Sequence, residues 1–268
     1  YSVLIMKYLA VSVPKSNEFT YEQAFAFFSS ISSSSKSPSI LDLFRSKSTD
    51  GNFSFNILSA KQRIRFIIVV DDEESEPVQN QILAQYTSAQ IKEIPAFHFK
   101  TQFFYELYPS NDQLLPIKNA SEFRDVDPLA SLLSAVSRTS EPNAIFWLQI
   151  IVGPAKAGWQ DSASSKIDSI SKVPQGSTQT QSNRSLIQQI QEKTKYPGHQ
   201  VSIRILSNTK ANLNLFYSSF SIFAGASGDR LSKVEPTMWN REKLIEAVNN
   251  HKQEGKSFIL NSMELATL

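Results

Sequence analysis

Three histidines are the first places to look for acid–base or metal chemistry in this chain: His98, His199 and His251. No two of them stand at i and i+4 on one predicted helix, the spacing that would turn two imidazoles toward one metal. His251 falls near a predicted helix C-terminus, which the helix dipole favours without any catalytic role. No G-x-S-x-G elbow presents a serine, and the absence of cysteine removes thiolate nucleophiles and thiolate metal sites. The run DDEESE, Asp71 to Glu76, lacks the alternating ligands and turn glycine of a calcium loop, so it reads as the acidic start of a helix. In GPAKAGWQ, Gly153 and Gly158 lie five apart after an apolar strand-like run, as a phosphate-binding loop begins. Trp159 and Gln160 then occupy the places of the required Lys and Ser/Thr, and Pro154 removes a backbone donor. That stretch is expected to be a structural turn. Lys61, Arg63 and Arg65 are expected on one strand face and form the candidate nucleic-acid surface, without the aromatic pattern of RNA-binding sheets. No catalytic, cofactor-binding or metal-ligating residue is assigned.

Those side chains sit in a composition typical of a soluble globular protein. The chain has 268 residues, 41% hydrophobic and 19% charged, with a net charge of +2. Such a balance points to neither a nucleic-acid footprint nor an acidic partner. The opening YSVLIMKYLAVSVP is too short to span a bilayer and carries Lys7 in its middle. Because the chain opens at Tyr1, an upstream segment is expected.

Residues 1–95 read as strand, helix, strand, strand, helix, strand. Pro14 stops the first strand, and the first helix spaces Phe25, Phe28 and Ile31 along a face. NFSFNIL and IRFIIVV alternate on either side of a hairpin-length gap, SAKQR. Ser75 is expected to cap EPVQNQILAQY, and AQIKEI closes the unit. This order is that of a ferredoxin-like βαββαβ module.

Residues 96–208 read as a related order. FHFKTQFFYELYP is the first strand, Asp127 and Pro128 cap and open the helix PLASLLSAVS, and AIFWLQIIVGP is a central strand. A serine-rich tract over 154–185 reads as a flexible insertion before a helix, LIQQIQEKTKY, and a last strand, QVSIRIL. YTSAQI and YPGHQV share a Tyr at a helix end and a Gln four positions on, which suggests a diverged internal repeat. Residues 209–268 read as a helical tail. In it Leu213, Phe216, Phe220 and Phe223 share one face, Gly225 follows as C-cap, and Asn240 caps a helix with Trp239 and Leu244 as its staple. The fold class expected is α+β: two ferredoxin-like modules and a helical C-terminal tail.

Taken together, EQAFAFFSSI, FSFNIL, RIRFIIVV, FYELYP, DPLASLLSAVS, WLQIIVGP with its following Trp–Gln, VSIRILS and FILNSMELATL occur in an order that resembles the N-terminal region of bacterial type IV secretion and conjugation ATPases of the HerA/TraG-like group. The resemblance covers nearly the whole chain, although no motif in it is catalytic. It implies a non-catalytic docking and assembly region at the cytoplasmic face of the membrane, ahead of an ATPase domain that would bind ATP and Mg²⁺. The partners implied are that domain, other motor subunits and membrane-embedded secretion components, with DNA reached only through the full assembly. No cofactor is expected within these residues. Met263, Leu265 and Leu268 are then expected to pack on the ATPase domain, so that truncation before Asn261 would leave both modules folded. The alternatives are a stand-alone scaffold without a motor and, third, a nucleic-acid-binding module using Lys61, Arg63 and Arg65.

Overall fold

A computed structural model describes residues 5–14, 20–31, 53–61, 63–98, 103–123, 127–137, 141–172, 179–226 and 229–268. The first elements follow the expected order: β1 (Met6–Ser12), α1 (Tyr21–Ile31), β2 (Phe53–Ala60), β3 (Arg63–Asp71), α2 (Ser75–Gln85) and β4 (Gln90–Ile94). Alternation builds the strands, with Phe53 and Ile68 turned to a helix-covered core and Ile67 and Val69 turned to the opposite face. In α1 the buried residues are Phe27, Phe28 and Ile31, while Phe25 stacks edge-on against Tyr196. Ser75 is the first residue of α2 rather than its cap, because a 3-10 turn over Asp72–Glu74 feeds directly into the helix.

The chain continues through β5 (Phe103–Pro109), α3 (Pro128–Ser137), β6 (Ile145–Pro154), α4 (Trp159–Ser171), α5 (Gln179–Thr194) and β7 (Gly198–Ser207). It closes with α6 (Lys210–Ser218), β8 (Leu231–Val234), α7 (Arg241–Asn249), β9 (Phe258–Asn261) and α8 (Ser262–Thr267). Asp127 accepts from the Leu129 backbone N–H at 2.9 Å, the N-cap expected ahead of Pro128. The protein is mixed α+β: among the described residues nine strands form one sheet, antiparallel at every pairing, with eight helices.

The strand order is β4-β1-β3-β2-β6-β7-β5-β8, with β9 also paired to β7. β2 and β6 meet over their whole lengths, from Phe53 opposite Val152 to Ala60 opposite Ile145, so hydrogen bonding is continuous across the sheet. Read inward from each edge, the order is 4-1-3-2 on one side and 8-5-7-6 on the other.

Three expectations change. Residues 209–268 are not purely helical, since β8 forms the edge beside β5 and β9 extends the sheet at β7. The serine-rich tract expected as a flexible insertion is helical over Trp159–Ser171 and Gln179–Thr194, because Ala163 and Ile190 supply buried positions that composition alone hides. QVSIRIL is an interior strand flanked by β6 and β5, whereas AQIKEI is an edge, so the shared Tyr–Gln signature marks two topologically different strands.

The tail also departs in detail. Leu213, Phe216, Phe220 and Phe223 are all buried as expected, but α6 gives way to a 3-10 turn over Ser219–Phe223. Gly225 is required by close approach, since a Cβ there would collide with the Pro116 carbonyl oxygen. The Asn240 side chain makes no cap bond to α7, and Trp239 stands 95% exposed with Met238 at 88%, so no staple forms. Asn240 instead accepts from the Thr237 hydroxyl at 2.9 Å.

The main core lies between the sheet and α1, α2, α3, α6 and α8. The opposite face is covered over β6 and β7 by α7, where Leu244 and Val248 pack on Trp147 and Leu206. Phe97, from the connection between β4 and β5, joins that cover by packing edge-on to Tyr8 and Trp147. Among the described residues no helix is long and apolar enough to cross a membrane.

Candidate functional site

Among the described residues, two polar clusters hold most of the buried ionisable side chains. The first lies on the α7-covered face of the sheet. Arg204 on β7 is fully buried and donates to Gln149 Oε1 at 3.0 Å and to the carbonyls of Lys252 and Glu254 at 3.0 and 2.6 Å. Its cross-strand neighbour Glu106 accepts from the Lys256 backbone N–H at 2.8 Å. Burial lowers Arg204 to about 10, with Glu106 and Glu254 acting in the opposite direction, so it stays charged at neutral pH.

Gln149 links this arginine to His251. With Oε1 held by Arg204, its amide nitrogen donates to the Val248 carbonyl at 2.9 Å and lies 3.1 Å from His251 Nδ1. Nδ1 is therefore the acceptor, and the ring proton is assigned to Nε2, among the rings of Tyr8, Phe97 and Trp147. Burial, then the Arg204 charge, brings His251 down to about 3. The network ends at Asn56, which accepts from Trp147 Nε1 at 2.9 Å and donates to Ser54.

The second cluster fixes α8. Lys193 and Glu264 pair at 2.8 Å with both side chains only 1% exposed. The carboxylate also accepts from the backbone N–H groups of Ile117 at 2.9 Å and Asn261 at 2.8 Å. Asn261 completes a capping box by accepting from the Glu264 N–H, and its amide donates to the Lys193 carbonyl. Burial raises the Glu264 carboxyl above its ordinary range, and the Lys193 charge pulls the other way without cancelling it. Beside it, His199 Nε2 lies 3.0 Å from Ser262 Oγ, and burial lowers that imidazole to about 4.

These side chains contact backbone and one another inside the protein, so what the arrangement does chemically is tie segments together. His98 belongs to neither hydrogen-bonded cluster; it is exposed and outside a strand, yet near enough to His251 to act on it electrostatically. Asp71 to Glu76 sits where β3 passes into α2, with Asp72 paired to Lys7 at 2.8 Å, and among the described residues no group of acidic or histidine side chains could hold a metal ion. GPAKAGWQ ends β6 and leads into α4 through its N-cap Gly158, whose φ of 77° suits glycine, while Trp159 packs so closely on Gly198 that a Cβ there would lie 2.7 Å from the indole.

The residues expected to face a partner divide. Leu265 is in the main core, with Leu268 packed against that core and Met263 half-buried. Leu265 is thus already covered by this chain. Arg63 and Arg65 are exposed on one face of β3, but Lys61 sits in the β2–β3 turn with φ 51° rather than on the strand. Sequence reasoning missed Arg204, Gln149, Lys193 and Glu264. The available signal was polar residues at inward positions of apolar strands, as Gln149 and Arg204 are in IFWLQIIVG and HQVSIRILS.

A family model described as "Domain of unknown function (DUF8128)" matches residues 7–213. The chain belongs to that family. The match runs from β1 into α6, so β8, α7, β9 and α8 lie beyond it, together with Glu264 and His251. A comparison with curated proteins returned no match.

Proposed function

We propose that the chain is a non-catalytic docking and assembly region of a type IV secretion or conjugative DNA-transfer ATPase, acting at the cytoplasmic face of the membrane. One observation carries the scaffold part of this reading. The buried polar side chains best suited to chemistry, Arg204, His251, Lys193, Glu264 and His199, bond to backbone or to neighbouring buried side chains. Such groups hold a shape, and a shape is what a docking region offers. The strand orders 4-1-3-2 and 8-5-7-6 agree with two ferredoxin-like modules joined at β2 and β6, with α4 and α5 inserted in the second. The motor part of the reading rests on the sequence resemblance alone. In this reading ATP and Mg²⁺ belong to a domain beyond Leu268, and the exposed Met238–Trp239 pair is a contact for another component of the machine.

The test is to read the gene past the Leu268 codon. A strand followed by G-x-x-x-x-G-K-[ST] supports the motor-docking role. A stop codon close behind Leu268 replaces it with the second reading, a stand-alone scaffold.

A further inference from the structure

The α7-covered face of the sheet is open at its other end, where the strand register gathers cations that lie apart in sequence. On β3, Arg63 and Arg65 point from this face, the side on which Ile67 and Val69 are buried farther along. Lys92 on β4 shares the face, because it stands opposite Ala10, which in turn stands opposite Ile67. Lys61 closes the strip in the adjoining turn, and all four are exposed. Between them the floor is uncharged: Ala10, Ser12, Ala60, Gln90 and, opposite Arg65, the half-buried Leu58, which packs on the core of this face. The nearest carboxylate on β4, Glu93, belongs to the other face, 3.9 Å from Lys7.

We infer that this strip binds the phosphodiester backbone of nucleic acid without reading its sequence. Arg63 and Arg65 lie about 6.8 Å apart along the strand, and their planar guanidinium groups suit successive phosphates. No aromatic side chain stands among these residues to stack a base, which directs recognition to phosphates rather than bases. The strip also lacks an apolar anchor of the kind that holds a protein partner, or that inserts into lipid. This inference is independent of the docking role and would hold for a chain without a motor.

The experiment is fluorescence anisotropy of the whole chain with a short labelled DNA duplex of arbitrary sequence, across a salt series. Four phosphate contacts give a slope of log K against log salt near about −3.6, and a loss of roughly a hundredfold between about 50 and 200 mM. R63Q/R65Q should lower the slope by about 1.8, K92Q by about 0.9, and K195Q on the α5 end should leave it unchanged. Each variant alters an exposed side chain, so unchanged thermal melting checks that it folds. Absence of duplex binding at low salt overturns the inference, as does binding that R63Q/R65Q/K92Q leaves intact. Binding to phosphatidylserine vesicles but not to duplex overturns it as well, and assigns the strip to a lipid surface.

Discussion

At the scale of single residues, the buried histidines make stability depend on pH. His199 at about 4 and His251 at about 3 are neutral in the folded protein and take up protons near 6.5 once unfolded. The unfolded state therefore binds more protons in acid. Their contribution is fully present above about 6.5 and is lost as pH falls toward the folded values. At one unit below 6.5 each histidine costs about 1.4 kcal/mol, so the urea midpoint should drop clearly between pH 7.5 and 5.5. An unmoved midpoint would mean the two rings are not held neutral. Glu264→Gln should cost about 3–5 kcal/mol because it leaves the Lys193 ammonium buried without its counter-charge. Removing both charges with Lys193→Met/Glu264→Leu should cost less than the single change, which denaturant melts of the three proteins would decide. Gly255→Ala is a third sensitive point. Its φ is +80°, and an added methyl would lie 2.7 Å from Leu244 Cδ2 and against the Glu106 carboxylate, so we expect a loss of about 2 kcal/mol or more by urea melt.

At the scale of elements, α8 and the β4–β5 connection decide the most. α8 packs on α1, buries Leu265 and holds Lys193 and the Ile117 N–H through Glu264. Truncation before Asn261, expected from sequence to be harmless, should instead remove the cooperative unfolding transition or lower the midpoint sharply, as followed by circular dichroism. A truncated protein that melts like the parent would show that α8 merely rests on a finished core. The β4–β5 connection joins an edge strand to one six neighbours away in the sheet, about 29 Å sideways at ordinary strand spacing. Nine residue steps separate Ile94 from Phe103, and Phe97 among them packs edge-on against Tyr8 and Trp147. Phe97→Ala should remove these ring contacts, and the loss should register as a lowered melting temperature.

At the scale of the whole molecule, β2 and β6 join two groups of strands into one sheet, and neither group is complete at that seam. Residues 1–98 alone would present the β2 edge unpaired, a ready template for aggregation. We expect that fragment to aggregate when expressed alone and to be recovered as a soluble complex when co-expressed with residues 103–268. Size-exclusion chromatography distinguishes these outcomes, and a monodisperse 1–98 fragment would show that the seam is dispensable.

Much of the element order was legible because local rules act over a few residues. Alternation marked β2 and β3, a nearly continuous apolar run marked β6, Asp127–Pro128 marked the start of α3, and the spacing of Leu213, Phe216, Phe220 and Phe223 marked the face of α6 and its 3-10 extension. The β8 and β9 strands, only four residues each, are too short for a period to emerge. The buried clusters were not legible, because Arg204 becomes a structural cation only when β6 brings Gln149 beside it and residues 252 and 254 supply carbonyls. The cationic strip was half legible: Arg63 and Arg65 share a strand, but Lys92 joins them only through β1, which separates β4 from β3. By itself, then, the sequence determined most of the longer local elements and the α+β class, since backbone preference and hydrophobic period are properties of neighbours along the chain. Tertiary structure alone decided which strands are edges, which polar groups are buried and which cations share a face, because these depend on pairings between residues far apart in the sequence.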